Sequence, residues 1–116
     1  MSSDCLFCRI GAGEIPATVV YETENVLAFR DIGPQAPVHV LVIPRAHHAT
    51  LADLAGADPA LAGEVMAAVG AVAKAEGLAE NGYRVIVNTG AHGLQTVLHM
   101  HAHVLGGEPL GPMLSL

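Results

Sequence analysis

Residues 98–105 read LHMHAHVL, with histidines at positions 99, 101 and 103 and apolar residues between and after them. On a β-strand alternate residues share one face, so His99, His101 and His103 would stand in a row. The residues that would point the other way, into a core, are Leu98, Met100, Ala102 and Val104. The same spacing on a helix would turn His101 to the far side. The alternation therefore predicts a strand that presents a face of histidines.

Three aligned imidazoles support two kinds of chemistry, and the pattern alone leaves both open. Neutral imidazole is a common metal ligand, and alternate strand positions could chelate one ion. Imidazole also titrates near neutral pH and is nucleophilic when neutral, which suits it to nucleophilic and acid–base catalysis. Three purely structural histidines are the less favoured interpretation, because polar side chains beside a core strand need partners.

The composition limits the classes of function. A chain of 116 residues is long enough for one domain, residues 1–116, with its own core. The formal charge of −6 with only five Lys and Arg residues argues against binding to nucleic acid or to an anionic membrane. A phosphate ligand would therefore be held by backbone N–H groups and histidines, since a basic patch is lacking.

The N-terminal segment carries a CxxC pair and no signal-like stretch, so a cytoplasmic location is expected. Cys5 and Cys8 are the only cysteines, and in a reducing compartment they favour metal or redox chemistry over a disulfide. A thioredoxin-like site would need a preceding strand and a long following helix, and neither fits here. A zinc site needs two further ligands, so the residues alone leave zinc binding and two incidental buried thiols both open.

The rest of the chain divides into short segments with their own secondary-structure signals. Asp58 before Pro59 is a typical helix start, Gly77 is a typical helix end, and Gly63 and Gly70 inside that helix suggest close packing. A Gly-containing loop over residues 89–96 leads into the histidine strand. The other predicted elements are a helical turn at 5–10, a hairpin of strands 18–22 and 26–30, a buried central strand at 38–44 and a strand at 83–88.

These residues together resemble a known family. The segment 99–105 is similar to the histidine triad signature, His-φ-His-φ-His-φ-φ with φ apolar, and the similarity to the nucleotide-binding branch of that family extends from about Cys5 to Gly107. The resemblance implies an α+β HIT-like fold, an antiparallel sheet of about five strands with one long helix and a short N-terminal helix, usually paired as a homodimer. It also implies binding of nucleoside monophosphates and hydrolysis of phosphoramidates or related bonds at the α-phosphorus. The supporting segments are AFRDI (28–32), PQAPVH (34–39), VIPR (42–45) and YRVIVN (83–88).

Positions that match the family's motifs take on expected roles through this resemblance. His101 corresponds to the nucleophile, His103 to a contact with the phosphate and leaving group, and His39 to a support for the histidine cluster. Asp31 would hold the ribose hydroxyls and Ile32 would line the base pocket. The phosphate or leaving-group side would be held by Asn88, Gln95 and Thr96.

The resemblance also suggests a structural metal. In bacterial relatives with a CxxC pair, zinc is held at the positions of Cys5, Cys8, His47 and His99, whereas in relatives without the cysteines His99 belongs to the active site. Two departures stand out: Leu94 occupies a position where relatives commonly have glycine, and the tail at 108–116 lacks the Trp-containing ending of animal relatives. His48 and His92 match no functional position and are expected at the surface.

Two other functions compete with a covalent phosphoramidase. The first is a zinc-dependent hydrolase whose metal sits on the histidine row, although no carboxylate general base lies near the motif apart from Glu108. The second is a nucleotide-binding regulatory module with vestigial catalysis, which would use the same binding residues.

Overall fold

Residues 4–114, the part of the chain that this computed structural model describes, contain five strands and three helices. The elements are α1 (Leu6–Gly11), β1 (Val19–Glu22), β2 (Val26–Arg30), β3 (Val38–Pro44), α2 (Leu51–Ala57), α3 (Pro59–Ala75), β4 (Tyr83–Ile86) and β5 (Ala102–Gly106). The strands form one antiparallel sheet in the order β1-β2-β3-β5-β4. The predicted α+β class, the five-stranded sheet, the long helix and the short N-terminal helix are confirmed, while the helix α2 was not predicted.

The helix α3 covers one face of the sheet. Asp58 caps its start by accepting a hydrogen bond from the Leu61 N–H at 3.0 Å, and Gly77 follows its end with a φ of 76°. Its buried face packs on the sheet as the 3.6-residue period requires. The predicted close packing at Gly63 and Gly70 is wrong for the described chain, because both are exposed and a Cβ at either would meet nothing within 4 Å. The apolar residues buried on that face include Leu61, Val65, Val69 and Val72.

A second, smaller apolar cluster lies on the other side of the sheet. It joins Phe7 of α1 to Leu27, Phe29, Leu41 and Ile43 of the two central strands β2 and β3. Alternate residues of the same strands, such as Val40 and Val42, belong instead to the core beneath α3. The sheet is therefore buried on both faces at its centre, and α1 covers the face opposite α3.

The predicted histidine strand is shorter than expected. Strand β5 begins only at Ala102, so His99 and His101 lie in an irregular segment before it, and Leu98 is 63% exposed instead of buried. The pairing of β3 with β5 ends at the Val42–Ala102 pair. Two backbone groups explain the ending: Pro44 has no N–H, and its carbonyl accepts a hydrogen bond from His99 Nε2 at 2.8 Å.

The alternation of faces nevertheless persists through this irregular segment. Met100, Ala102 and Val104 are buried in the core beneath α3, as predicted. The strand predicted over 83–88 likewise ends early, at Ile86. Within residues 4–114 no helix combines the length and apolarity needed to cross a bilayer.

Candidate active site and metal centre

A pocket of about 260 Å³ opens on the sheet face opposite α3. His101 and His103 line it together with Asp31, Ile32 and Thr96, five residues that the resemblance assigned to one site. Ile32 is fully exposed in the open pocket, which suits a residue that would cover a bound apolar group. A larger cavity of about 620 Å³ near the end of α3 is lined by no histidine or cysteine, so it lacks this chemistry.

His101 is held with one ring nitrogen available for chemistry. Its Nδ1 lies 2.8 Å from the carbonyl oxygen of His99, and since a carbonyl only accepts, Nδ1 must carry the proton. The neutral ring therefore has an unprotonated Nε2 with a free lone pair. The ring is buried, with 5% exposure, and lies 5.0 Å from the His103 ring between centroids. This is the tautomer that a nucleophilic imidazole requires.

A chain of hydrogen bonds also defines the tautomers of His39 and His103. The Gln35 backbone N–H donates to His39 Nδ1 at 3.0 Å, so His39 carries its proton on Nε2 when neutral. That Nε2 donates to His103 Nδ1 at 2.9 Å and lies 3.5 Å from an Asp31 carboxylate oxygen. His103 consequently carries its own proton on Nε2, which makes it a hydrogen-bond donor for an anion in the pocket.

Burial keeps this pair of histidines neutral. Burial, followed by the neighbouring His101 and His39, lowers the pKa of His103 to about 4, while Asp31 acts in the opposite direction. Burial also lowers the pKa of His39, and the attraction of Asp31 opposes this without overcoming it. Both rings are therefore neutral at pH 7 in the ligand-free protein.

We predict that acid destabilises the protein through His103. The unfolded chain binds a proton at a pKa near 6.5 and the folded chain only near 4, so the free energy of unfolding falls as the pH drops through this window. The loss is about 2 kcal/mol after allowing for partial solvent screening. Urea denaturation at pH 7 and pH 4.5 measures it, and His103→Gln should show a shallower pH dependence. Equal pH dependence in the two proteins would contradict the prediction.

The loop before the histidines is tied together by two amide side chains. Asn88 Nδ2 donates to the Gly93 carbonyl at 2.7 Å. Gln95 accepts from the Gly90 N–H at 2.9 Å and donates to the carbonyls of Ala49 and Val97, at 2.7 and 3.0 Å. Gln95 thus fastens the loop to its neighbours, whereas Thr96 is exposed and faces the pocket.

Leu94 departs from ordinary backbone geometry in the same loop. Its φ of 58° lies in the left-handed region, where non-glycine residues are uncommon, and its side chain is 79% exposed. The neighbouring Gly93 cannot accept a side chain, because a Cβ there would lie 2.5 Å from the Thr89 carbonyl oxygen. The loop keeps its tight turn at Leu94 despite the steric cost of a Cβ.

Four predicted metal ligands lie together beside α1. The Sγ and Nδ1 atoms of Cys5, Cys8, His47 and His99 all lie within 4.8 Å of one another. His99 Nδ1 is 3.3 Å from Cys5 Sγ, 3.5 Å from Cys8 Sγ and 3.2 Å from His47 Nδ1. Tetrahedral zinc with two thiolates and two imidazoles would set S···N and N···N distances of about 3.6 and about 3.3 Å. The donor set and its spacing fit such an ion.

The tautomer of His99 supports the same conclusion. Because Nε2 donates to the Pro44 carbonyl, the neutral ring leaves Nδ1 unprotonated toward the two thiols. Burial is the first cause that lowers the pKa of His99, which favours the neutral, ligating form. The His99 ring is fully buried. It lies in the cysteine cluster and is not among the residues that line the pocket with His101.

Asp31, His39 and His103 form a second group whose side-chain atoms converge, but their hydrogen bonds disfavour a metal there. His39 Nε2 carries a proton because Nδ1 accepts from the Gln35 N–H, so the nitrogen that faces the group has no lone pair to give. Among the described residues no metal-competent group contains all three triad histidines. The interpretation of one catalytic metal on the histidine row therefore finds no support in the geometry.

Sequence reasoning missed the contribution of α1 to the pocket. Phe7, Leu6 and Ile10 line it from one side, and Phe29 and Leu41 from the sheet. Phe7 stands edge-on to His101, with ring centroids 4.9 Å apart and an interplanar angle of 89°. The sequence did contain a signal for this contact, because Phe7 lies between Cys5 and Cys8. If the two cysteines bind beside the sheet, the residue between them on a short helix must also lie close to the sheet.

Comparison with known proteins agrees with this geometry. The HIT domain family model matches residues 12–110. The purine nucleoside phosphoramidase of Escherichia coli (strain K12) is 45% identical over 115 residues, covering 99% of this chain and 97% of that protein. A 14 kDa zinc-binding protein of Zea mays is 49% identical over 111 residues, covering 93% of this chain and 85% of that protein.

Solved structures show the same fold. The crystal structure of a HIT family hydrolase from Legionella pneumophila Philadelphia 1 superposes with a TM-score of 0.90 at 49% identity, covering 95% of this chain and 98% of that chain. A HIT family hydrolase from Clostridium thermocellum gives a TM-score of 0.92 at 42% identity, covering 99% and 100% of the two chains. With the family model matching most of its length, the chain belongs to the HIT domain family.

Proposed function

We propose that this protein hydrolyses nucleoside 5′-phosphoramidates, such as adenosine 5′-phosphoramidate, at the α-phosphorus through a nucleotidyl intermediate on His101. One observation carries the proposal: the His99 carbonyl holds the Nδ1 proton of His101, which leaves Nε2 as a free nucleophile in a pocket shared with His103. The purine nucleoside phosphoramidase relative supports the choice of substrate class.

The nucleoside would lie between the polar and apolar walls of the pocket. Asp31 is half-buried, with one oxygen accepting from the Gly33 N–H at 2.8 Å, and its carboxylate would accept from the ribose hydroxyls. Ile32, fully exposed without ligand, would cover the base. The formal charge of −6 and the few cations leave the phosphate to be met by imidazole and N–H donors.

The reaction would proceed in two displacements. In the first, the Nε2 lone pair of His101 attacks phosphorus in line, the P–N bond breaks, and the departing amine takes up a proton. Binding of the phosphate anion beside His103 would raise the proton affinity of that ring, so His103 would take up a proton with the substrate, donate it to the amine and return to its neutral form. In the second displacement, water attacks the phosphorus and gives a proton to His103, the bond to His101 breaks, and a nucleoside monophosphate is released.

The loop residues would act in two ways. Thr96 faces the pocket and would hold the phosphate or the leaving group through its hydroxyl. Asn88 and Gln95 would act mainly by shaping the loop, because their amides already bind its backbone and that of Ala49 and Val97. His39 would act through His103, by supplying the hydrogen bond that sets its tautomer.

Zinc is the ion that we propose for the cysteine cluster. Cys5, Cys8, His47 and His99 would hold it, and four protein ligands would leave no open position for substrate, so its role would be structural. The zinc-binding relative from Zea mays supports the assignment. A cytoplasmic location, where thiols stay reduced, is part of this proposal.

Rapid mixing with adenosine 5′-phosphoramidate followed by intact-mass analysis tests the function. We expect a transient mass increase equal to one adenylyl group, located on His101 by peptide mapping, together with release of ammonia. A protein that binds adenosine monophosphate but forms no adduct and releases no ammonia would be a binding module, and the proposed catalysis would be wrong.

We further propose that the protein is a homodimer. Strand β4 forms one edge of the sheet, and its residues Tyr83 and Val85 are 41% and 39% exposed on one face. Exposed backbone groups and apolar side chains on an edge favour pairing with another chain. Sedimentation at micromolar concentration should give twice the 11.9 kDa of one chain.

Substitutions on the two sheet edges test the surface of this dimer. Val85→Lys on β4 should yield a monomer, whereas Val19→Lys on the opposite edge strand β1, where Val19 is 44% exposed, should leave the dimer intact. A wild-type monomer at micromolar concentration, or equal effects of both substitutions, would contradict the prediction.

A further inference from the structure

Phe7 lies between the two cysteines in sequence and against the site histidines in space. Its side chain is 4% exposed, and its ring is edge-on to His101 with centroids 4.9 Å apart. The same ring is 6.0 Å from His99 and 5.5 Å from Phe29, both also near edge-on. One buried side chain of α1 therefore contacts the proposed nucleophile and a proposed metal ligand together.

The position of α1 depends on its contacts with the rest of the fold, because six residues are too few for a stable isolated helix. Cys5 caps the helix by accepting a hydrogen bond from the Cys8 N–H at 3.3 Å, and both thiols belong to the cluster with His47 and His99. At its other end Arg45 Nη1 donates to the Gly11 carbonyl at 3.3 Å. Because Cys5 precedes Phe7 and Cys8 follows it, an ion bound by both thiols would hold α1 on both sides of Phe7.

The same helix forms a wall of the nucleotide pocket. Leu6, Phe7 and Ile10 of α1 line the pocket together with Asp31 and His103. If α1 moved, the pocket would widen and the His101 ring would lose a packing partner. The cluster is therefore connected to the pocket through a side chain that ligates nothing itself.

We propose that Phe7 is a positioning residue that couples the Cys5, Cys8, His47 and His99 cluster to the nucleotide pocket. A metal ion bound in the cluster then determines the affinity of the pocket for nucleotide and the orientation of the His101 ring, although the ion contacts no substrate. This inference rests on the proposed function. The His99 carbonyl, which accepts from His101 Nδ1, is a second connection, and the experiment separates it from the first.

The test measures binding of adenosine monophosphate by calorimetry in wild type and Phe7→Leu, each zinc-loaded and stripped with a chelator. Removal of zinc should weaken binding by wild type by about tenfold, the scale of a lost aromatic contact plus its packing. Phe7→Leu should keep about one equivalent of zinc, bind the nucleotide more weakly, and change less than about twofold when zinc is removed, because coupled effects do not add.

Ile32→Ala is the matched control, since Ile32 lines the same pocket from the segment after β2 and lies outside the apolar cluster of Phe7, Phe29 and Leu41. It should weaken nucleotide binding while keeping the full effect of zinc removal. Circular dichroism verifies that each stripped sample stays folded. His47→Ala, which removes only the exposed ligand and keeps both thiols, provides a milder loss of zinc if the chelator unfolds the protein.

A wild-type affinity that changes less than about twofold on zinc removal would overturn the inference and leave the proposed function intact. A full zinc effect in Phe7→Leu would overturn it as well, and would place the coupling on the His99 carbonyl. If zinc-loaded wild type binds no nucleotide, the proposed function fails. The ¹⁵N signals of the His101 ring then decide the coupling: they should move on zinc removal in wild type and not in Phe7→Leu.

Discussion

Replacement of His101 by alanine is expected to reduce turnover of adenosine 5′-phosphoramidate by about 10³-fold or more, because it removes the attacking atom from the reaction. Affinity for adenosine monophosphate should stay within about tenfold of wild type, since the expected ribose and phosphate contacts of Asp31, Thr96 and His103 remain. Steady-state ammonia release and calorimetric binding measure the two effects separately. Loss of turnover with retained binding is the result that a covalent nucleophile requires.

The control for this experiment is His92→Ala, because His92 is exposed and lies outside the pocket. It should leave both turnover and binding unchanged. Substitution of Thr96 by alanine should weaken the reaction less than His101→Ala, since the hydroxyl only orients the substrate. Retention of more than a few per cent of turnover in His101→Ala would mean that the reaction does not pass through this residue.

Replacement of Cys8 by serine is expected to remove the metal and to destabilise the fold. Purified wild type should contain about one equivalent of zinc per chain, and the variant much less, because serine is a poor zinc ligand. Loss of a structural ion that pins α1 should cost about 2 kcal/mol, which corresponds to a fall in Tm of roughly 10 °C for a domain of this size. Elemental analysis and thermal unfolding measure the two quantities.

His48→Ala provides the comparison, since His48 is adjacent to a cluster ligand in sequence but lies outside the cluster. Its zinc content and Tm should match those of wild type. The Cys8→Ser protein should still form the nucleotidyl adduct on His101 at saturating phosphoramidate, but more slowly than wild type, because His101 is not a ligand of the cluster although its ring packs against Phe7. Metal-free wild type with unchanged stability would remove the zinc assignment.

Several features could be predicted from local sequence because local chemistry determines them. Asp58 and Gly77 bound the long helix, since a side-chain acceptor is needed at a helix start and a positive φ at its end. The alternation from Met100 to Val104 assigns alternate residues to opposite faces even where the strand is interrupted. The cluster residues Cys5, Cys8, His47 and His99 were assigned together through their match to the family, and the structure brings them into contact.

The tertiary structure alone decided which nitrogen of each histidine is available. His101, His99 and His39 have their tautomers set by the His99 carbonyl, the Pro44 carbonyl and the Gln35 N–H. Pro44 belongs to β3, and Gln35 lies in the segment just before that strand. No pattern of residue types specifies which backbone group will contact a given ring. The early end of the histidine strand has the same origin, because the Pro44 carbonyl is occupied by a side chain and not by a ladder partner.

By itself the sequence determined the ends of the long helix, the alternation of histidines with apolar residues and the cysteine pair, because helix caps, strand periodicity and ligand types are properties of short segments. The fold class followed from the resemblance to the histidine triad family. The resemblance gave His99 both a metal-binding and a catalytic role, and the tertiary structure places its ring in the cysteine cluster while His101 and His103 line the pocket. The tertiary structure also places the Phe7 ring in contact with both His99 of the cluster and His101 of the pocket. Such contacts join residues up to 94 positions apart, and their geometry depends on how the whole chain packs.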